Sequence, residues 1–385
     1  MIISKIKLHN WKNFQECSVE IAKRTFIVGA NAAGKSNFLD AFDFLRDVAK
    51  KSGGLQAAVE SRGGIKAIRC LSARRRTDVG IEVTLKESAD EPDKWVYSLY
   101  FKHTGGGIRP NEVVVSSEKV LQVQEGRYLV CRTDNSPGET GDTLKYTHLE
   151  QAVTSQAFLE VRNVFAEMEY LNIIPQLVRE SNSNSVNDDR FGRGFLMKLS
   201  KLNENTREKY LAQVNEVLRC VVPQLDGLSF VKGEGGLYHL EARYIHWRAK
   251  GSMQTERQFS DGTLRLIGFL FAFLAGKGVI LLEEPELSLH AGVVAQLPEF
   301  IAKMQRNKNR QVIITTHSYD ILSNSGIDEN EVILLQNGSE GTVAKVAADI
   351  DEVMQILDSG FSMADAVLPM TAPTDARQMS NVSMD

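Results

Sequence analysis

Gly29-Ala30-Asn31-Ala32-Ala33-Gly34-Lys35-Ser36 lies between an apolar strand pattern, Thr25 to Val28, and a helical one with Phe38, Phe42, Leu45 and Val48 at turn spacing. The stretch matches G-x-x-x-x-G-K-[ST]. Its glycines let the backbone turn so that successive N–H groups point into one concavity. Those dipoles, with the N-terminus of the following helix, suit phosphate. In this reading Gly29, Asn31, Gly34, Lys35, Ser36 and Asn37 form the nucleotide-binding set. Lys35 reaches the outer phosphates and the Ser36 hydroxyl ligates Mg2+. The strand–loop–helix order that the motif needs is present.

A second motif is Val279-Ile280-Leu281-Leu282-Glu283-Glu284-Pro285-Glu286. A buried apolar strand that ends in two acids suits metal-assisted phosphoryl transfer, with one carboxylate over the metal and the other on the attacking water. By position Glu283 is the metal-side acid and Glu284 the general base. Either motif alone is compatible with an ordinary turn; together they predict ATP and Mg2+ as ligands.

On these residues the chain resembles ABC-type ATPases of the SMC/RecF branch, and especially prokaryotic ATPases related to the OLD family. The resemblance is carried by Asn10 to Phe14, Gly29 to Ser36, Phe259 to Arg265, Leu281 to His290 and Thr315 to Ser318. It implies that Phe259-Ser260-Asp261-Gly262-Thr263 is the signature motif, whose Ser260 and Gly262 contact ATP held by another subunit. A capped helix N-terminus is itself a sound anion site. Glu286 to His290 matches the D-loop, and His317 matches the switch histidine that senses the γ-phosphate. Lys12, with Trp11 and Phe14, lies where family members contact nucleotide; for the two aromatics a core position is the simpler expectation. The pattern is departed from twice. The metal-side acid is Glu283 where Asp is usual, and no glutamine can be assigned to the loop that follows the first sheet, Gln56 and Gln122 being unsupported candidates.

Around these motifs the 385 residues carry 43% hydrophobic and 24% charged residues and a net charge of −4. That suits a soluble globular chain and excludes an overall polycation. Cys17, Cys70, Cys131 and Cys220 are far apart and read as free thiols. The N-terminus lacks a signal-peptide pattern, and the longest apolar stretch, Leu266 to Ala275, is about half a membrane span. A cytoplasmic protein without membrane contact is expected. Arg74-Arg75-Arg76, with Arg69 nearby, could bind DNA phosphate or an acidic partner, but a charge run is more often a solvated loop. Asp349-Ile350-Asp351 has too little chain after it for a Toprim nuclease.

The expected fold is α/β: a P-loop NTPase built as an ABC-type ATPase head, with mixed parallel and antiparallel sheets and a helical insertion. Antiparallel strands are read at Val79 to Leu85, Trp95 to Phe101 and Asn111 to Val115, around a turn at Gly105 to Gly107. Thr147 to Arg179 reads as helical, with Phe158, Val161, Phe165 and Met168 on one face. Ser181 to Asp189 reads as a polar loop, Glu208 to Val221 as a helix and Tyr238 to Trp247 as a strand. The divisions expected are 1–134, the N-terminal part of the ATPase; 135–225, the insertion; 226–350, its C-terminal part; and 351–385, a tail that loses periodicity from Pro369. The resemblance implies a homodimer or higher homo-oligomer closed by ATP, acting on a separately encoded effector protein in anti-phage defence. The alternatives are a RecF-like ATPase acting on DNA and a nucleotide-gated scaffold with little hydrolysis.

Overall fold

The strand Arg24–Gly29 lies inside a six-stranded sheet of the computed structural model, which describes residues 1–73, 78–103, 112–180, 190–233, 236–245 and 252–372. Arg74 to Arg76, Gly105 to Gly107, Ser181 to Asp189, the end of the Tyr238 to Trp247 stretch and residues 373–385 of the tail lie outside the described residues.

The sheet order is Gly341–Val346, Val332–Gly338, Arg24–Gly29, Val312–Thr316, Ile280–Glu283, Glu169–Leu171. All pairings are parallel except the first, a hairpin. A parallel sheet is covered on both faces, so its strands are continuously apolar and alternate residues enter different cores. Ile27, Leu281, Ile313 and Ile333 enter one core, with the helix Lys35–Ala49. Phe26, Val28, Ile280, Leu282, Ile314 and Leu334 enter the other, with the helices Asp261–Ala275 and Leu297–Lys308.

The first core is closed by a six-stranded antiparallel sheet in the order Phe14–Glu20, Ile2–Trp11, Val79–Lys86, Asp93–His103, Val113–Gln122, Arg127–Thr133. Phe38, Phe42 and Leu45 on the helix and Ile6, Val83 and Leu99 on the sheet are at most 1% exposed. At such a site Phe42→Ala would cost about 3–5 kcal/mol. Gln311 clamps the two sheets: its side chain accepts from Ile3 N (2.8 Å) and donates to Ile3 O (2.7 Å). A third sheet, Ser252–Thr255, Tyr238–Tyr244 and Leu225–Lys232, packs with the helix Glu204–Val221.

The stretch Thr147 to Arg179 departs from the continuous helical reading. Phe158, Val161, Phe165 and Met168 are buried together, but α-helix is confined to Leu159–Ala166 and Pro175–Arg179, with a 3-10 turn at Thr154–Phe158. Between them Glu169–Leu171 is a strand, held by parallel pairing to Ile280, Leu281 and Leu282. Residues 159–171, within the stretch expected as an insertion, thus supply a helix packed beside Lys35–Ala49 and the edge strand of the central sheet. In the tail, Met363–Thr371 is a helix that includes Pro369.

Candidate functional site

Four of the five parallel strands of the central sheet supply the loops at one edge. Their registers align Leu171 with Leu282, Glu283 with Thr315, and Thr315 with Ile27. The loops leaving these ends therefore meet, which is where open α/β sheets bind ligands. They bring together the loop 29–36, Asn172, Glu283 with Glu284, and His317.

The P-loop is braced from outside. Asn13 Nδ2 donates to Ala33 O (3.0 Å), Thr342 Oγ1 donates to the same carbonyl (2.9 Å), and Trp11 Nε1 donates to Asn37 O (2.8 Å). Gly34 has φ +99°, and a Cβ there would stand 2.0 Å from Asn13 Nδ2, so only glycine fits. The Asn37 side chain donates to Asn13 Oδ1 (2.8 Å) and thus belongs to the brace. Trp11 and Phe14 are buried in the core, as expected, and Lys12 pairs with Asp40 at 2.7 Å. Asn31 is exposed on the loop.

Lys35 folds back over the loop and donates to Gly29 O (2.9 Å) and Ala30 O (3.3 Å), with 7% exposure. The Ser36 hydroxyl donates to Glu283 Oε1. The other oxygen of Glu283 accepts from Tyr170 OH (2.5 Å) and Asn172 Nδ2 (2.9 Å). Burial, then the charge of Glu283, push the Tyr170 phenol well above its usual range, so it remains a donor. Neither glutamine reaches this place. Gln56 Nε2 donates to Val113 O and Lys145 O, and Gln122 pairs with Glu125. The amide beside Glu283 is Asn172.

Glu284 stands just beyond the strand with φ +43°, rare for a residue with a side chain and typical of functional turns. Its N–H is fixed on Thr315 O at 3.1 Å. The His317 Nδ1–H donates to Glu284 Oε1 at 3.1 Å. Glu286 is 8% exposed and accepts from Thr316 Oγ1 (2.6 Å), which joins the D-loop to the switch segment. Burial raises the pKa of Glu286. His290 Nδ1 accepts from Gly292 N (3.1 Å) as a helix cap.

Ser260 caps its helix, accepting from Thr263 N at 3.1 Å. A Cβ on Gly262 would meet Ser288 O at 2.3 Å, so glycine is required by the D-loop of the same chain. Arg179 Nη2 fixes this turn from Phe259 O (2.8 Å) and Asp261 Oδ1 (2.7 Å). Among the described residues no hydrogen bond joins Ser260 or Gly262 to loop 29–36.

The donor set fits a nucleotide triphosphate with a hard divalent cation. A lysine, a helix N-terminus and the loop amides would hold phosphate; a hydroxyl and a carboxylate would hold metal. Among the described residues no three His, Cys, Asp or Glu side chains converge on a cation site. Mg2+ takes one or two protein oxygens and completes its shell with phosphate and water.

These strand ends, with the loop 29–36 before its helix and a second, antiparallel sheet, define the fold of a P-loop nucleotide-binding protein. The chain belongs to the family described as "AAA domain, putative AbiEii toxin, Type IV TA system", whose model matches residues 24–125 and 163–323. No curated protein matches the chain in sequence. Among solved structures it resembles the Smc head bound to the C-winged helix domain of ScpA, with TM-score 0.55 and 14% identity over 90% of this chain and 97% of that one. It also resembles the Smc head domain with an extended coiled coil bound to the C-terminal domain of ScpA from Pyrococcus furiosus. There the TM-score is 0.51 and the identity 15%, over 93% of this chain and 98% of that one. At these identities the likeness concerns the fold. No helix among the described residues is long and apolar enough to cross a membrane.

Proposed function

We propose that the chain hydrolyses ATP with Mg2+ at this edge and that ATP joins two copies. The observation that carries the reading is the convergence on neighbouring acids: Ser36, Tyr170 and Asn172 on Glu283, and His317 on Glu284. Gly29, Gly34 and the loop amides hold the phosphates, with Asn31 at the loop's outer face. Lys35 leaves the loop carbonyls for the β- and γ-phosphate oxygens. Ser36 and Glu283 hold the cation, which supplies charge neutralisation on the phosphates when bound. Glu284 orients or deprotonates the attacking water, and His317 fixes that carboxylate. Ser260 and Gly262 face the nucleotide of the second copy from a capped helix N-terminus, which suits an anion.

The assembly acts, in this reading, on a separately encoded effector protein in defence. The family description, which names a toxin and a Type IV TA system, supports a defence role over DNA repair. The two Smc heads in solved complexes each bind a domain of ScpA, which supports a protein partner. The test is phosphate release by the purified chain with ATP, with and without Mg2+, alongside its mass by light scattering. Mg2+-dependent release and an ATP-dependent doubling of mass are expected. No Mg2+-dependent release would overturn the catalytic reading, and an unchanged mass would overturn the shared site.

A further inference from the structure

The Asn172 side chain that holds Glu283 sits just past the last residue of a three-residue strand, so its place depends on what fixes the chain beyond it. Asn172 N donates to Arg190 O (2.9 Å) and Ile174 N to Phe191 O (3.0 Å). The short segment 190–191 therefore lies alongside 172–174. The Arg190 guanidinium turns the other way, onto the helix that begins at Lys35. Its Nη2 lies 2.6 Å from Asp43 Oδ2 and 2.6 Å from Asp47 Oδ2.

Those carboxylates are deeply buried: Asp43 is 0% exposed and Asp47 4%. Arg62 also binds them, together with Asp40, but it belongs to the N-terminal half of the chain and touches nothing on the Asn172 segment among its described bonds. Arg46 and Lys50 bind the same acids from the helix itself, whereas Arg190 holds the P-loop helix with its side chain and Asn172 with its own carbonyl. Buried charges of this kind have few alternative positions, because leaving the partner uncompensated is costly.

We propose that Arg190 is a positioning residue for Glu283. It sets the spacing between the helix that carries Ser36 and the strand end that carries Asn172, so that both reach one carboxylate. This rests on the ATPase reading above. Residues that orient a metal ligand from behind typically change metal affinity about 10- to 100-fold when removed. The site should therefore respond to Arg190 through Mg2+, with nucleotide contacts of the P-loop left in place.

The experiment is titration of Mg2+ against binding of a fluorescent ATP analogue, with the analogue's affinity in EDTA and the melting temperature measured alongside. For Arg190→Met the Mg2+ concentration at half effect should rise about tenfold or more, while affinity in EDTA stays at the parental value. Arg190→Met leaves one more negative charge on the helix, so the double variant Arg190→Met/Asp47→Asn restores the balance without restoring the tether. It should fold even where the single variant does not, and it should keep the raised Mg2+ requirement. A parental Mg2+ requirement in either variant would overturn the proposal, the double variant's recovery showing that charge balance alone mattered. A parent chain whose nucleotide binding ignores Mg2+ would instead sink the ATPase reading, and the role of Arg190 with it.

Discussion

His317 Nδ1 lies 3.1 Å from Glu284 Oε1, across the ends of two adjacent parallel strands. Three features set that contact. The register pairs Glu283 with Thr315, the positive φ of Glu284 swings its side chain out of the strand direction, and the Thr316–Glu286 hydrogen bond holds the segment that carries His317. His317→Ala should lower hydrolysis by about 10²-fold, a typical loss for a positioned proton-transfer partner, while ATP binding persists. Phosphate release and nucleotide affinity check it; equal losses in both would assign His317 to binding instead.

Lys35→Ala should abolish nucleotide binding while the fold survives. In this structure the ammonium donates to two carbonyls of its own loop, Gly29 O and Ala30 O, so its removal breaks no hydrogen bond to another part of the fold. Calorimetric titration with ATP and a melting curve check the two halves. A variant that binds ATP like the parent would remove the P-loop reading.

Shared sites predict complementation. Gly262 is a poor probe, since any Cβ there would strike Ser288 O of the same chain. Ser260 is exposed, and Ser260→Arg blocks the surface at the cost of one helix cap. Lys35→Ala and Ser260→Arg should each be inactive, and mixing them should restore part of the parental ATPase rate. Activity in Ser260→Arg alone would argue against completion by a second copy.

The acidic cluster on the P-loop helix predicts a pH signature in stability. Burial raises Asp43 to about 6 against the pull of Arg46 and Arg190, whereas Arg62, Lys50, Arg46 and Arg190 overcome burial and hold Asp47 at about 2. A carboxyl whose folded pKa is raised binds its proton more tightly in the folded state. Its contribution to stability is therefore greatest below pH 3.8 and declines as pH rises to about 6. The stability of Asp43→Asn relative to the parent should thus improve between pH 4 and about pH 7. Asp47 has the opposite sign: its contribution is present above 3.8 and is lost as pH falls toward 2. Paired melting curves of parent, Asp43→Asn and Asp47→Asn from about pH 2 to about pH 7 check both; a flat difference for Asp43→Asn above pH 4 would show an unshifted carboxyl.

The two motifs were legible because each is local: a loop flanked by strand and helix, and a strand ending in acids. The same holds for the capped turn at Ser260 and for the strand before His317. Tyr170 and Asn172 were not legible. Their strand is three residues long, too short for any period, and it exists only because Ile280 to Leu282 pair with it. A run of apolar residues at helical spacing on either side hid it. Asn37 was read as a nucleotide ligand from its place after Ser36, but its partner Asn13 is 24 residues away in sequence. The strands Arg127–Thr133, Val332–Gly338 and Gly341–Val346 were not legible either; the first and last are hairpin partners of the strand just before them, and only Val332–Gly338 has a long-range partner, Arg24–Gly29. Arg190 carries no local signal at all, since its partners lie on a helix more than a hundred residues earlier.

Single-turnover hydrolysis by Glu284→Gln, measured beside Glu283→Gln, tests the central claim most directly. Glutamine keeps the size of each side chain and removes its charge. The account predicts that Glu284→Gln binds Mg2+-ATP as tightly as the parent or better, hydrolyses it about 10²- to 10⁴-fold more slowly, and accumulates as the ATP-loaded dimer. Glu283→Gln should instead lose Mg2+-dependent binding along with turnover. Hydrolysis at the parental rate by Glu284→Gln would contradict the account, and the base-like profile appearing in Glu283→Gln would reverse the roles of the two acids.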